Sequence, residues 1–265
     1  VDRPALRYFG GKFMLADWII SFMPEHKVYV EPFGGGASVL LKKPSVYAEI
    51  YNDKDSEIVN VFKMLRDRPA ELKRLLELTP WARDEFDLSK VECEDELEKA
   101  RRTIARSFMG FADATTGPKH AGFRAVMSQG KPAAKVFADY PNFIDQFTQR
   151  LRGVVIENRC GLKVMQEHDS ESTLHYVDPP YVHSSRKSKN NYRHELDDKS
   201  HEELCDFLTS LKGSVLLSGY ENSIYERLGW AKFNKETIGD GGVDRIETLW
   251  LNKRAQDGQR QMGLF

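Results

Sequence analysis

The chain has 265 residues, 40% of them hydrophobic and 30% charged, with a formal net charge of −1; this suits one elaborated domain or two modest ones and excludes a disordered or fibrous chain. The near-zero charge also excludes a protein that is basic throughout, so any affinity for polyanions must come from local patches. The longest apolar runs are strand-sized, such as VLLSGY, and the opening VDRPALRYFGGK carries charges where an export signal needs an apolar block, so neither a membrane span nor a signal peptide is expected.

In chain order, KVYVEPFGGGASVLLKK (27–43) reads as a β-branched and aromatic strand, a glycine turn and a helix starting near Ala37. SVYAEIYND (45–53) follows as a second strand ending in acid, and Ile58, Val59, Phe62 and Leu65 then mark one face of a helix. Residues 69–78 predict a further short helix. From about Trp81 to Tyr140 the pattern changes to an acidic connector, a helix near Glu94 to Phe111, and a long stretch rich in Gly, Thr, Pro and Lys. This is the expected insertion. Alternation resumes with the strand GVVIEN, the helix GLKVMQEH, the strand TLHYV running into Asp178, the helix SHEELCDFLTSLK, the strand SVLLSGY, a helix near Asn222 to Leu228, and strands at AKFNKETI and RIETLWLN. Strands alternating with helices predict a largely parallel α/β sheet. The ending KRAQDGQRQMGLF reads as an exposed tail.

The glycine turn lets backbone approach a ligand, and the helix after it favours electron-rich groups. Its spacing is not GxGxxG, which weakens a dinucleotide reading, and a tight turn without ligand competes with it. Asp53, about twenty residues on, suits two ribose hydroxyls or the N-cap of the next helix. VDPPYV (177–182) places an acid, two prolines and an aromatic ring at a strand end. The exocyclic amino group of adenine or cytosine is a poor nucleophile, because its lone pair is delocalised into the ring. Asp178 and the carbonyl of Pro179 can each accept one of its N–H bonds; Pro179 and Pro180 stiffen the segment, and Tyr181 offers a face for the base, worth on the order of 1–3 kcal/mol. Strand termination with a packed tyrosine is the plain alternative.

Charge is uneven. Lys99, Arg101, Arg102, Arg106, Lys119, Arg124, Lys131 and Lys135 face a single Asp113, after an acidic stretch from Asp84 to Glu98. The basic block suits a surface that grips phosphate and reads bases. HSSRKSKNNYRH (183–194) contains no acid and suits a loop over the substrate strand. Cys93, Cys160 and Cys205 show no metal-ligand spacing and no disulfide framework, so a reducing cytoplasm is the expected setting.

Taken together, RYFGGK (7–12), VEPFGGGASVLL (30–41), YNDKDSEIVN (51–60), VDPPY (177–181) and ETLWLN (247–252), in that order, resemble the Dam-type N6-adenine DNA methyltransferases of bacteria and phages. The resemblance covers about residues 3–252 and implies a Rossmann-like α/β methyltransferase sheet, residues 1–80 and 141–252, with a mainly helical target-recognition domain inserted at 81–140 and a flexible tail at 253–265. It implies S-adenosylmethionine as methyl donor, held by Tyr8, Lys12, Phe33, Gly34, Gly36, Asp53 and Asp178. It also implies catalysis by Asp178, Pro179, Pro180 and Tyr181 on an adenine flipped out of duplex DNA. Lys119, Arg124, Gln129, Lys131, Arg186 and Lys187 are the expected DNA contacts. QMGLF (261–265) resembles peptides that dock on the bacterial sliding clamp, through Gln261, Leu264 and Phe265. An N4-cytosine methyltransferase and a catalytically inactive DNA-binding relative are the alternatives.

Overall fold

Runs of β-branched and aromatic residues between glycine and proline breakers form the strands, and apolar stripes at helical spacing form most of the covering helices. The structure, a computed structural model, describes residues 1–8, 10–111, 122–125, 132–182, 196–238 and 244–261. In chain order the elements are α1 (Ala16–Ile20), β1 (Val28–Glu31), α2 (Ser38–Lys42), β2 (Ala48–Asn52), α3 (Ser56–Asp67), α4 (Pro69–Glu77), α5 (Arg83–Leu88), α6 (Glu96–Met109) and α7 (Ala133–Ala138). After a 3-10 turn (Tyr140–Phe143) come α8 (Ile144–Leu151), β3 (Val154–Glu157), α9 (Gly161–Glu167), β4 (Thr173–Val177), α10 (Asp198–Ser210), β5 (Ser214–Gly219), α11 (Ser223–Glu226), β6 (Ala231–Ile238), β7 (Asp244–Leu251) and α12 (Lys253–Gln261). None of the described helices is long and apolar enough to cross a membrane.

The strands form one seven-stranded sheet of order β3-β2-β1-β4-β5-β7-β6. The first five run parallel, and β7 enters antiparallel between β5 and β6. The chain works outward from β1 to β3, then returns to lay β4 on the other side of β1. That reversal opens a crevice beyond the carboxyl ends of β1 and β4, the usual ligand edge of an open α/β sheet. The antiparallel register sets Gly219 against Thr248, which carries Glu247 of β7 to the same edge.

Two apolar layers sandwich the sheet, as the two-residue alternation of its strands requires. Tyr29, Leu174, Tyr176, Leu216 and Leu249 face one side; Val30, Val177, Val215, Leu217 and Trp250 face the other. Phe86, Ile104, Phe108 and Phe137 of the insertion join the first layer with Phe62 and Leu65 of α3. Among the described residues of 81–140 the elements α5, α6 and α7 are helical, and they share the sheet's core. The sequence gives no element for 144–151, where α8 buries Ile144, Phe147 and Leu151.

Two expectations need correction. Much of the basic block is internal: Arg101 bridges Glu98 and Glu85, each at 2.7 Å, Arg102 pairs with Glu98 at 2.8 Å, and Arg106 pairs with Glu57 at 2.6 Å and donates to the Ser89 carbonyl. Glu85 of the acidic stretch, Glu98 within α6 itself and Glu57 of α3 take up those charges. Nor is 253–261 a loose tail, because α12 buries Ala255 and Gln259, with the Gln259 amide donating to the Phe22 carbonyl. Small residues at 255 and 258 permit this approach; a side chain at Gly258 would meet Pro24 at 2.7 Å. Gln261 closes α12, while Leu264 and Phe265 lie outside the described residues.

Removing a donor to a buried carbonyl costs about 1–3 kcal/mol. Gln259→Ala is therefore expected to lower stability by about that much in urea unfolding, whereas a frayed tail predicts no change.

Candidate active site

The ends of β1, β2 and β4 and the N-terminal loop build a cleft that opens to solvent. Tyr8, Lys12, Phe33, Gly34, Gly36, Asp53, Asp178, Pro179 and Pro180, distant in sequence, all line it.

The glycine run is shaped by aromatic neighbours. A Cβ on Gly34 would sit 2.1 Å from the ring of Tyr51, whose hydroxyl donates to the Gly35 carbonyl at 2.8 Å. Gly35 has φ +45°, and a Cβ there would meet the Tyr8 ring at 2.7 Å. Tyr51 thus supports the loop from below and Tyr8 packs against it. Asp53 completes the turn: its Oδ2 accepts the Gly35 N–H and its Oδ1 the Asp55 N–H, each at 2.8 Å. The N-cap of α3 is Asp55, which accepts the Glu57 N–H at 3.0 Å, so Asp53 is released from that task. Burial lifts the Asp53 carboxyl to about 6 against those backbone donors.

At the end of β4 the carboxylate of Asp178 lies 2.9 Å from Lys12 Nζ. Lys12 is 4% exposed and also meets the Tyr181 hydroxyl at 2.8 Å, the Gly10 carbonyl at 3.1 Å and Glu247 at 3.4 Å. Burial disfavours the ammonium, but Asp178 and Glu247 outweigh it and hold the pKa of Lys12 above its usual value. Burial raises the Asp178 carboxyl to about 6, with Lys12 opposing and Glu247 assisting.

Tyr181 differs from its expected role as an open platform. Its ring stacks on Tyr220, with centroids 4.2 Å apart and planes 15° apart, and the residue is buried. The adjacency of β4 and β5 explains this, since residues 181 and 220 leave neighbouring strand ends. Arg245 of β7 donates to the Tyr220 hydroxyl at 2.8 Å.

Three further groups were not among the expected site residues. Glu31 ends β1 inside the cleft, its Oε2 accepting the Tyr29 hydroxyl at 2.7 Å and the Leu40 N–H at 3.0 Å. Burial lifts its carboxyl to about 8. The available signal was its place as the first letter of EPFGGG. Glu247 of β7 opens the motif ETLWLN without an assigned role, and Ser218 of β5 is a strand serine outside every quoted motif.

Arg124 lies away from the cleft floor, its N–H donating to the Met109 carbonyl at 2.7 Å and its guanidinium 5.3 Å from the Phe111 ring centroid. Arg7 stands 5.2 Å from the Phe108 ring centroid, and burial, then Arg124 and Arg3, lower its pKa. These guanidiniums share one basic rim. Lys119, Gln129, Lys131, Arg186 and Lys187 lie outside the described residues.

The acid-rich lining of Glu31, Asp53, Asp55 and Asp178, beside the apolar surfaces of Phe33, Tyr8 and Val39, fits a ligand that joins a flat ring and hydroxyls to positive charge. Comparison with known proteins identifies the family. The family model described as D12 class N6 adenine-specific DNA methyltransferase matches residues 8–236. A type II methyltransferase of Lactococcus lactis subsp. cremoris is 25% identical over 253 residues, covering 89% of this chain and 87% of the relative. A DNA adenine methylase of Salmonella typhi is 24% identical over 279 residues, covering 94% and 95%. A DNA N-6-adenine-methyltransferase of Escherichia phage P1 is 33% identical over 66 residues, 24% of this chain and 8% of the relative.

Overpacking a rigid site costs typically about 1–3 kcal/mol. Gly34→Ala should lose at least that much in thermal unfolding, and Tyr51→Ala in the same chain should recover part of the loop's ligand affinity by making room. An unperturbed Gly34→Ala protein contradicts the close approach.

Proposed function

The chain belongs to the D12 class of N6 adenine-specific DNA methyltransferases, and on that premise we propose that S-adenosylmethionine is the methyl donor, seated in the cleft between the glycine loop and Asp178, and that the acceptor is an adenine turned out of duplex DNA. The enzyme is an adenine-specific DNA methyltransferase. The observation that carries the finer reading is the convergence of Lys12, the glycine loop, Asp53 and Asp178 on one cleft.

When bound, the donor supplies an electrophilic methyl group on a sulfonium. The protein does the holding. Asp53 presents carboxylate oxygens for the ribose hydroxyls, and Phe33 offers apolar surface to the adenine ring. Glu31 and Asp178 surround the donor's positive charge with carboxyl groups. For the acceptor, Asp178 takes one N–H of the amino group and the Pro179 carbonyl the other, which aligns the nitrogen lone pair with the incoming methyl. As the N–C bond forms, the bond between methyl and sulfur breaks with its electron pair returning to sulfur, leaving a neutral thioether; N6 gives up a proton, and the ionised Asp178 is the nearby base. Pairing with Lys12 fixes the carboxylate before substrate arrives. A base stacking on Tyr181 has to contend with Tyr220, so entry of adenine opens or flanks that aromatic pair.

The helical insertion, 81–140, is the proposed target-recognition region. Arg124 and Arg7 form a cationic rim suited to DNA phosphates. Phosphate contacts supply most of the affinity, whereas base edges supply specificity.

The direct test is to incubate unmethylated duplex DNA with the protein and S-adenosylmethionine, digest it to nucleosides and identify the product. N6-methyladenine is expected; N4-methylcytosine contradicts the acceptor assignment, and failure of S-adenosylmethionine to bind in calorimetry contradicts the donor. Asp178→Ala should abolish transfer while leaving most DNA affinity. Because Asp178 must be ionised to accept the amino group, turnover should fall as pH drops through about 6. Arg124→Ala should flatten the plot of log affinity against log salt by about one unit; an unchanged slope moves Arg124 off the phosphates.

A further inference from the structure

One buried carboxylate at the catalytic edge belongs to the terminal-strand motif ETLWLN but was given no role among the expected site residues. Glu247 on β7 is 2% exposed, accepts the Ser218 hydroxyl on Oε1 at 2.9 Å, and places that same oxygen 3.4 Å from Lys12 Nζ. Its other oxygen, Oε2, lies 3.3 Å from the Tyr181 hydroxyl. Lys12 Nζ in turn stands 2.9 Å from Asp178 and 2.8 Å from the Tyr181 hydroxyl. Two carboxylates therefore share one ammonium, and the tyrosine of the catalytic segment is tied to both the ammonium and Glu247.

We propose that Glu247, anchored by Ser218, is a positioning residue for methyl transfer: it shares Lys12 with Asp178 and holds Tyr181, so that Asp178 is oriented by the ammonium without being fully neutralised by it. The physical argument is one of charge. An ammonium with a single buried carboxylate partner satisfies that carboxylate and weakens it as a hydrogen-bond acceptor. A second carboxylate on the same ammonium relieves this, leaving Asp178 with acceptor strength for the adenine amino group. The groups facing Asp178 are Lys12 from the N-terminal loop, Glu31 from β1, Tyr176 from β4, Tyr181 after it, Ser218 from β5, whose hydroxyl also bonds Asp178, Tyr225 from α11 and Glu247 from β7. Of these, Lys12 opposes protonation of Asp178 and Glu247 favours it. The antiparallel insertion of β7 between β5 and β6 has a chemical consequence: it delivers this carboxylate to an edge otherwise built from parallel strands.

The inference rests on the reading of Asp178 as acceptor of the amino group, and the experiment separates the two. Turnover at saturating donor and DNA is measured across pH for the wild type, Glu247→Gln, Glu247→Asp, Ser218→Ala and Asp178→Asn, with unfolding midpoints taken in parallel. Glu247→Gln keeps the shape and removes the charge. Its kcat is expected to fall by as much as about 100-fold, the scale on which misplacement at a reacting centre acts, with donor KM little changed. The acidic limb should move to lower pH, because loss of the neighbouring anion makes Asp178 easier to ionise. Glu247→Asp should restore the limb more fully than the rate, and Ser218→Ala should show a smaller rate loss. A wild-type kcat and limb in Glu247→Gln overturn the proposal, as does a rate loss that follows loss of folded protein with the limb unmoved. Retained turnover in Asp178→Asn instead removes the reading beneath it.

Discussion

A lysine with almost no solvent of its own ties this molecule together. Lys12 arrives from the loop before α1, far in sequence from every group it touches, and reaches Asp178, Tyr181 and Glu247 at once. A buried ammonium is tolerated only with close anionic and hydrogen-bonding partners. Its burial therefore obliges the N-terminal loop, the end of β4 and the start of β7 to stay together. The proposed donor cleft and the proposed acceptor clamp meet at that junction, so on this proposal the contact that closes the fold also aligns the two reactants.

The sheet makes this possible through its order. Running β1 to β3 in one direction and β4 to β5 in the other leaves the ends of β1 and β4 adjacent with no crossover above them. Glycine backbone, Asp53 and Asp178 fall there because each terminates a strand, and the aromatic rings of Tyr8 and Tyr51 shape the glycine turn from opposite sides. The insertion adds helices without a second core: Phe86, Phe108 and Phe137 pack with α3, which places the basic rim of Arg7 and Arg124 in rigid continuity with the active edge.

What could be read from the sequence was what is local. The strand before Asp178, the glycine turn, the acid after β2 and the stripe of α3 each announce themselves within ten residues, and all appear where expected. The cleft residues from Tyr8 to Pro180 were legible because each belonged to an ordered set of short motifs. What escaped depends on contacts across the chain. Glu247 opens a recognisable terminal-strand motif and Ser218 is an ordinary strand residue, yet neither shows its part until β7 pairs with β5. Arg101, Arg102 and Arg106 look like a polyanion surface until Glu85, Glu98 and, from α3, Glu57 pair with them. Residues 253–261 look polar throughout, and only the close approach to Pro24 and the Gln259 bond to Phe22 reveal a packed helix.

The central claim is that Lys12 and Asp178 form one energetic unit that couples the fold to the chemistry. A double-mutant cycle with Lys12→Met, Asp178→Asn and the pair, followed by urea unfolding without ligands, measures it most directly. Breaking a buried ion pair from either side costs about 3–5 kcal/mol, while removing both charges relieves much of that loss. The account predicts that the double variant is markedly more stable than the sum of the single losses allows. Strictly additive losses would contradict it.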